Sequence, residues 1–184
     1  MSEKSEGLTG SEIKAKGLLT EKGVEISERS SIDSLSSRGY GTTEKETFRL
    51  SFYEALYLLN KELLEVTDEN RKLVNFQSLL QCYKSKDENA WVNYLVYRDL
   101  RTRGYVVREG FGTGTDFRIY ERGAYGKDIA QYLVLSIQEG QPMPIQDLTN
   151  ALQQCQSQKK ELIIAVMNRR GETVYYSVSP LTFK

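Results

Sequence analysis

The chain has 184 residues, enough for one or two small domains that bury roughly 70% of their unfolded surface without disulfide or metal staples. Lys and Arg number 25 and Asp and Glu also 25, so the basic excess of a free-standing nucleic-acid binder is missing and any RNA contact must be local or shared. There is no histidine, which excludes Ser-His-Asp, Cys-His and histidine acid–base mechanisms, and histidine metal sites, within this chain.

Residues 1–16 are rich in Ser, Glu, Lys and Gly and read as a flexible N-terminus. Residues 17–41 alternate short apolar pieces with turn residues: Gly17-Leu18-Leu19, Val24-Glu25-Ile26, then Gly39-Tyr40-Gly41. This predicts a small antiparallel sheet and a glycine-marked turn, with a short helical turn over Ser30–Leu35. Ser51 and Glu54 have capping-box spacing and open a helix whose stripe is Leu56, Leu59 and Leu63, running on to Leu64. A second helix is expected over 69–84, with Leu73, Phe76, Leu79 and Leu80 inward. The charged break Lys84–Asn89 marks a domain boundary, giving an N-terminal α/β domain over 17–86 and a second domain over 87–184.

The second domain opens with a helix over 88–103 with Val92, Leu95, Val96 and Leu100 on its apolar face, stopped by Gly104. Strands follow at Tyr105–Val107, Phe117–Tyr120 and Tyr132–Ile137. A helix is expected over 145–158, with Ile145, Leu148, Leu152 and Cys155 at helical spacing. The apolar run Leu162–Met167 reads as a strand covered on both faces. A turn at Asn168–Gly171 leads to a last strand, Thr173–Val178. Strands, one helix, then more strands predict an α/β (α+β) domain with a mixed central sheet flanked by helices.

Cys82 and Cys155 both fall in helix-like segments, and two sulfurs without histidine do not make a structural zinc site. They read as reduced cysteines of an intracellular protein. No apolar run reaches the ~18 residues of a membrane span, and Met1–Gly10 lacks the apolar core of a secretory signal. A cytoplasmic protein without membrane attachment is expected.

Three constellations could carry chemistry. Gly110–Asp116 looks like a phosphate loop, but no G-K-[ST] follows and a strand comes next, so it reads as a bend between strands. Asp116 could be the first carboxylate of a magnesium nuclease, but strand Leu133–Ile137 has no E-x-K to complete it. The third is stronger. Phe117 and Ile119 share one face of their strand, which leaves Arg118 and Tyr120 on the other. Lys159 and Lys160 end a helix just before a buried strand. A tyrosine and a lysine placed so can meet across a sheet edge, deprotonate a hydroxyl and hold phosphate charge.

The segments Tyr94-Leu-Val-Tyr-Arg-Asp-Leu-Arg-Thr-Arg-Gly-Tyr-Val-Val-Arg-Glu-Gly110 and Thr115-Asp-Phe-Arg-Ile-Tyr-Glu-Arg-Gly123 resemble the archaeal tRNA-splicing endonuclease family. So do Gly39-Tyr40-Gly41, Leu50–Ala55, Lys159–Met167 and Val174–Tyr176, and the likeness runs from about residue 17 to 178. The resemblance implies a small N-terminal α/β domain and a C-terminal nuclease domain. It also implies tetrameric assembly and metal-independent, cofactor-free cleavage of precursor tRNA at bulge–helix–bulge junctions. Such cleavage leaves a 2′,3′-cyclic phosphate and a 5′-hydroxyl. The family trio is a tyrosine base, a histidine acid and a lysine that stabilises charge. Tyr120 and Lys160 fall on the tyrosine and the lysine, while Ile129 stands at the histidine position. Gln153 replaces an arginine that grips the bulge.

This pattern is similar to the structural, non-catalytic subunit of the two-plus-two heterotetrameric enzymes, with Tyr120 and Lys160 as relics. The implied partners are a catalytic subunit and, through the complex, precursor tRNA. The implied interface is the last strand, with Val174, Tyr175, Tyr176 and Val178. Arg118, Lys159, Arg169 and Arg170 are candidate RNA contacts. The turn Asn168–Glu172 departs from the family's acidic pattern, with Glu172 as its one acidic residue. Two other readings stand beside this one. One is a weakly active homo-oligomeric endonuclease using Tyr120 and Lys160. The other is a tRNA-binding module outside any nuclease.

Overall fold

Alternating short apolar pieces at the N-terminus do make a sheet. A computed structural model describes residues 14–110, 114–121, 123–126 and 129–181. The first half holds β1 (Ala15–Thr20), β2 (Gly23–Ile26), α1 (Arg29–Ser37), β3 (Thr42–Glu44), β4 (Thr47–Leu50), α2 (Phe52–Asn60), β5 (Leu64–Thr67) and α3 (Phe76–Lys84). Its strands lie in the order β3-β4-β2-β1-β5, and β1 with β5 is the parallel pair. β1 starts at Ala15, which is buried, so the ordered sheet begins two residues before the expected Gly17.

Three sequence expectations are corrected here. The helix opened by Ser51 ends at Asn60, and Leu64 belongs to a strand. Glu62 adopts a left-handed φ of 60°, and the Leu63 amide donates back to the Leu58 carbonyl at 2.9 Å. That is a Schellman-type stop without glycine. The second helix starts at Phe76 rather than 69. Asp68 takes the amides of Asn70 and Lys72 at 2.9 and 2.8 Å and curls that stretch into a turn. Asn75 then caps the helix by accepting from the Ser78 amide at 2.9 Å. Leu73, expected inward, is exposed.

The second half holds α4 (Ala90–Thr102), β6 (Val106–Glu109), β7 (Phe117–Tyr120), β8 (Tyr132–Gln138), α5 (Ile145–Ser157), β9 (Glu161–Met167) and β10 (Thr173–Val178). Its sheet has the order β10-β9-β8-β7-β6, with β8 and β9 parallel and the other neighbours antiparallel. The mixed sheet was the expected architecture. α4 covers one face. α5 covers the other through Ala151 and Cys155 packed on Leu133 and Leu162. Ile145, at helical spacing with Leu148, Leu152 and Cys155, is the exposed first residue of α5.

One hydrophobic core runs through both halves. Its centre is aromatic. Tyr97 of α4 lies 4.8 Å from Tyr53 and 5.8 Å from Tyr57, both on α2, and 6.1 Å from Phe117 of β7 between ring centroids. The glycine turn after α1 docks on the second half. Arg101 of α4 stacks 4.0 Å from the Tyr40 ring and donates to the Arg38 carbonyl at 3.1 Å. Arg108 of β6 donates to the Gly39 carbonyl at 3.2 Å, to Thr42 Oγ1 at 2.9 Å and to Glu54 Oε1 at 3.3 Å.

Candidate functional site

β7 ends at Tyr120, and its alternation is as the sequence predicts. Phe117 and Ile119 are buried under α4, and Arg118 and Tyr120 are half-buried on the other face. Register then fixes the neighbours. Ile119 pairs with Tyr132 of β8, and Tyr132 with Glu161 of β9. One row further along lie Tyr120, Gln131 and Lys160. At roughly 4.8 Å per strand, the Tyr120 and Lys160 backbones stand about 10 Å apart at one end of the sheet. Ile129 lies at this same end, two residues before Gln131, with 76% of its surface exposed. The topology therefore gathers Tyr120, Ile129 and Lys160.

Each of the two polar side chains meets a group of its own chain. The Lys160 ammonium donates to the Ala130 carbonyl just ahead of β8. The Tyr120 ring meets the Tyr125 ring edge to face, 5.3 Å between centroids at 86°. The backbone at the lysines is set by the end of α5. Lys159 takes a left-handed φ of 54°, and the Lys159 and Lys160 amides donate to the Gln156 and Cys155 carbonyls, both at 2.9 Å. This is a second Schellman stop with lysine in place of glycine. Glu121 and Glu161 flank the same end, and their charges, after burial, hold the Tyr132 phenol above its usual range.

Other candidate residues separate from this cluster. Arg118 stands two residues back from Tyr120 on the same face. Arg169 and Arg170 occupy the turn after β9, which at about 3.3 Å per residue is some 25 Å from Lys160. On β10, Val174 and Tyr176 are exposed, and Val178 packs with Leu162 under α5. Tyr175 faces the other way, and its hydroxyl donates to Asp99 Oδ2 of α4 at 2.7 Å. A groove of about 200 Å³ with Tyr105, Tyr132, Tyr175 and Arg103 in its wall opens on that α4 side, away from Tyr120.

Asp116 sits at the opposite end of β7 and serves the fold. Its carboxylate accepts from the Ser136 amide at 2.6 Å. Burial raises its pKa above the usual carboxylate range, against the pull of Ser136. Gly110 and Asp116 stand at the two ends of the connection between antiparallel β6 and β7, with Glu109 paired to Phe117. Phe111, Gly112 and Thr113 lie outside the described residues. A raised carboxyl keeps its proton to higher pH in the folded state, so its contribution falls as pH rises from the ordinary carboxyl range through the folded value. Asp116→Asn keeps an acceptor for Ser136 and removes the charge. Its stability relative to wild type is expected to improve from about pH 4 to about pH 8 in urea titrations. A gap that stays flat with pH would refute a buried, titrating Asp116.

The fold is a pair of five-stranded mixed sheets sharing one core, with a tyrosine, an isoleucine and a lysine gathered at one end of the second sheet. Residues 15–80 match the tRNA intron endonuclease N-terminal domain, and residues 90–176 match the tRNA intron endonuclease catalytic C-terminal domain. The tRNA-splicing endonuclease of Methanococcus maripaludis is 36% identical over 163 residues, which cover 89% of this chain and 92% of that protein. That of Methanococcus vannielii is 35% identical over 163 residues, covering 89% of this chain and 92% of that protein. That of Pyrococcus furiosus is 37% identical over 142 residues, or 77% and 81% of the two chains. The chain belongs to the tRNA intron endonuclease family.

Tyr125 escaped the sequence reading. It lies on the connection between β7 and β8, outside any periodic element, and no motif marks it.

Proposed function

We propose that this chain is a structural subunit of a tRNA-splicing endonuclease, which removes introns from precursor tRNA at bulge–helix–bulge junctions and leaves 2′,3′-cyclic phosphate and 5′-hydroxyl ends. The observation that carries this reading is the absence of histidine from the whole chain. The position that the family resemblance gives to the general acid holds Ile129, exposed at the site's rim, and an alkyl side chain donates no proton. Loss of a general acid removes a factor of roughly 10² to 10⁴ in rate. The engagement of Lys160 with Ala130 supports the same reading, because that ammonium already serves a backbone carbonyl.

Assembly would use β10. It is an edge strand in its sheet, with Val174 and Tyr176 exposed. Edges of this kind pair with a second chain. A catalytic homologue beside this edge would supply the histidine and most of the basic surface that a chain of zero net charge lacks.

The test is cleavage of a bulge–helix–bulge precursor tRNA, with and without EDTA. The chain alone, a catalytic homologue from the same cell alone, and their mixture are compared. Cleavage confined to the mixture is expected. Cleavage by the isolated chain within about tenfold of the mixture would overturn the reading and make Tyr120 and Lys160 sufficient. Equal cleavage by the homologue with and without this chain would overturn it from the other side.

A further inference from the structure

The Tyr120 ring does not stand alone at the sheet end. Tyr125 meets it edge to face at 5.3 Å and 86°, the arrangement in which a ring's positive edge faces a neighbour's negative face. Behind Tyr125 lies the glycine turn of the first half. A Cβ built on Gly39 would sit 3.4 Å from Tyr125 Cε1 and 2.5 Å from Val106 Cγ1. Val106 is the register partner of Tyr120 on β6. The Gly39 carbonyl is held from the same strand by Arg108, at 3.2 Å. Gly39 has φ +76°, so both its conformation and the approach of Val106 require glycine. Four residues thus cluster at one seat: Gly39 leaves no room for a side chain beside Val106 and Tyr125, and these two flank Tyr120.

We infer that Tyr125 is a positioning residue for Tyr120, and that the pair is part of the seat through which the N-terminal half fixes the end of the catalytic-type sheet. This inference rests on the reading that the chain does no cutting itself, and it explains why such a chain keeps a tyrosine there. The ring of Tyr120 is used for packing, and its hydroxyl is not used for chemistry. The ring is packed at right angles to a neighbouring ring that lies beside the glycine turn of the first half.

The experiment uses the full chain. Urea unfolding of Tyr120→Leu, Tyr125→Leu and the double variant forms a thermodynamic cycle. The two changes are expected to be coupled by roughly two- to tenfold in the folding equilibrium constant, the range for an edge-to-face pair. Ring signals of Tyr120, followed by NMR with labelled tyrosine, are expected to move in Tyr125→Leu and to stay in place in Tyr125→Phe, which keeps the ring. Tyr125 is half-buried on a connection outside the core, so the comparison of wild type with Tyr125→Leu stands even where the double variant does not fold. Finally, Tyr120→Phe is mixed with the catalytic homologue, and precursor tRNA cleavage is expected at the wild-type rate.

The outcomes separate cleanly. Absent coupling together with unmoved Tyr120 signals would overturn the seat and leave the structural-subunit reading intact. A loss of about 100-fold or more in cleavage by the Tyr120→Phe mixture would overturn that reading itself, because it would show the hydroxyl at work.

Discussion

Replacing Arg108 by methionine is expected to cost about 3–5 kcal/mol of folding stability at neutral pH, the range for removing one partner of a buried ion pair. Both partners are withdrawn from water, with side chains 10% and 4% exposed. Arg108 does three jobs at once, holding Glu54, the Gly39 carbonyl and Thr42. Glu54 has two further donors, the Ser51 amide at 2.9 Å and the Gly41 amide at 3.2 Å. Burial pushes the Glu54 carboxyl up, and Arg108 is the largest influence pulling it back. Without Arg108 the carboxyl rises further. The folded variant then holds a proton that the unfolded chain has released, so its stability falls as pH rises from the ordinary carboxyl range through the raised value. The penalty should be smaller near pH 5 and full near pH 8. Urea titrations of wild type and Arg108→Met at both pH values check this. A penalty that is equal at both, or that shrinks toward pH 8, would mean Glu54 is not the group left exposed to the loss.

The Glu54–Arg108 pair also shows what the sequence makes legible and what it hides. The capping-box spacing of Ser51 and Glu54 announces the start of α2, and Glu54 does take the Ser51 amide. Nothing in that local pattern says that the same carboxylate receives an arginine 54 residues later. Long-range polar pairs leave no periodic trace. The strands with strong signals are read closely. Phe117–Tyr120 and Thr173–Val178 coincide with β7 and β10, because alternation and β-branching declare them.

The misread end of α2 has a local cause. α2 ends at Asn60 and the chain turns away at Glu62, in the left-handed region without glycine. The usual marker of a helix end is therefore missing, and Leu63 and Leu64 continue the apolar stripe by coincidence. β3 (Thr42–Glu44) has all three residues exposed, so no burial pattern exists for the eye to follow. At the site, strand alternation and then the family resemblance single out Tyr120 and Lys160, and the sheet register sets them about 10 Å apart at one end of the sheet with β8 between them. Tyr125 is found only from coordinates, because its ring contact with Tyr120 lies on an irregular connection that carries no periodic signal.

Tyr97 gives the second large effect, and its sign depends on which atoms are removed. Its ring is fully buried, between the two α2 tyrosines and Phe117. Tyr97→Ala deletes the ring that joins the two halves and leaves a cavity at the centre of the shared core. A loss of about 3–5 kcal/mol is expected, the range for removing a large aromatic from a core. The hydroxyl is another matter. Its oxygen is buried and has no hydrogen-bond partner among the described residues, and burial raises its pKa well above the usual phenol value. A buried hydroxyl left unpaired costs about 1–3 kcal/mol. Tyr97→Phe, which keeps the ring and removes that oxygen, should therefore raise stability by about 1 kcal/mol. Urea unfolding followed by fluorescence and by far-ultraviolet circular dichroism reads both variants. In Tyr97→Ala the two signals should still move together, because one core serves both sheets. Two separate transitions would mean that the halves fold independently. A destabilised Tyr97→Phe would mean that the hydroxyl is satisfied in solution. Because Phe117 opens the strand that ends in Tyr120, the same ring that joins the halves also anchors the strand carrying the candidate site. Stability of the core and geometry of the sheet end should therefore fail together.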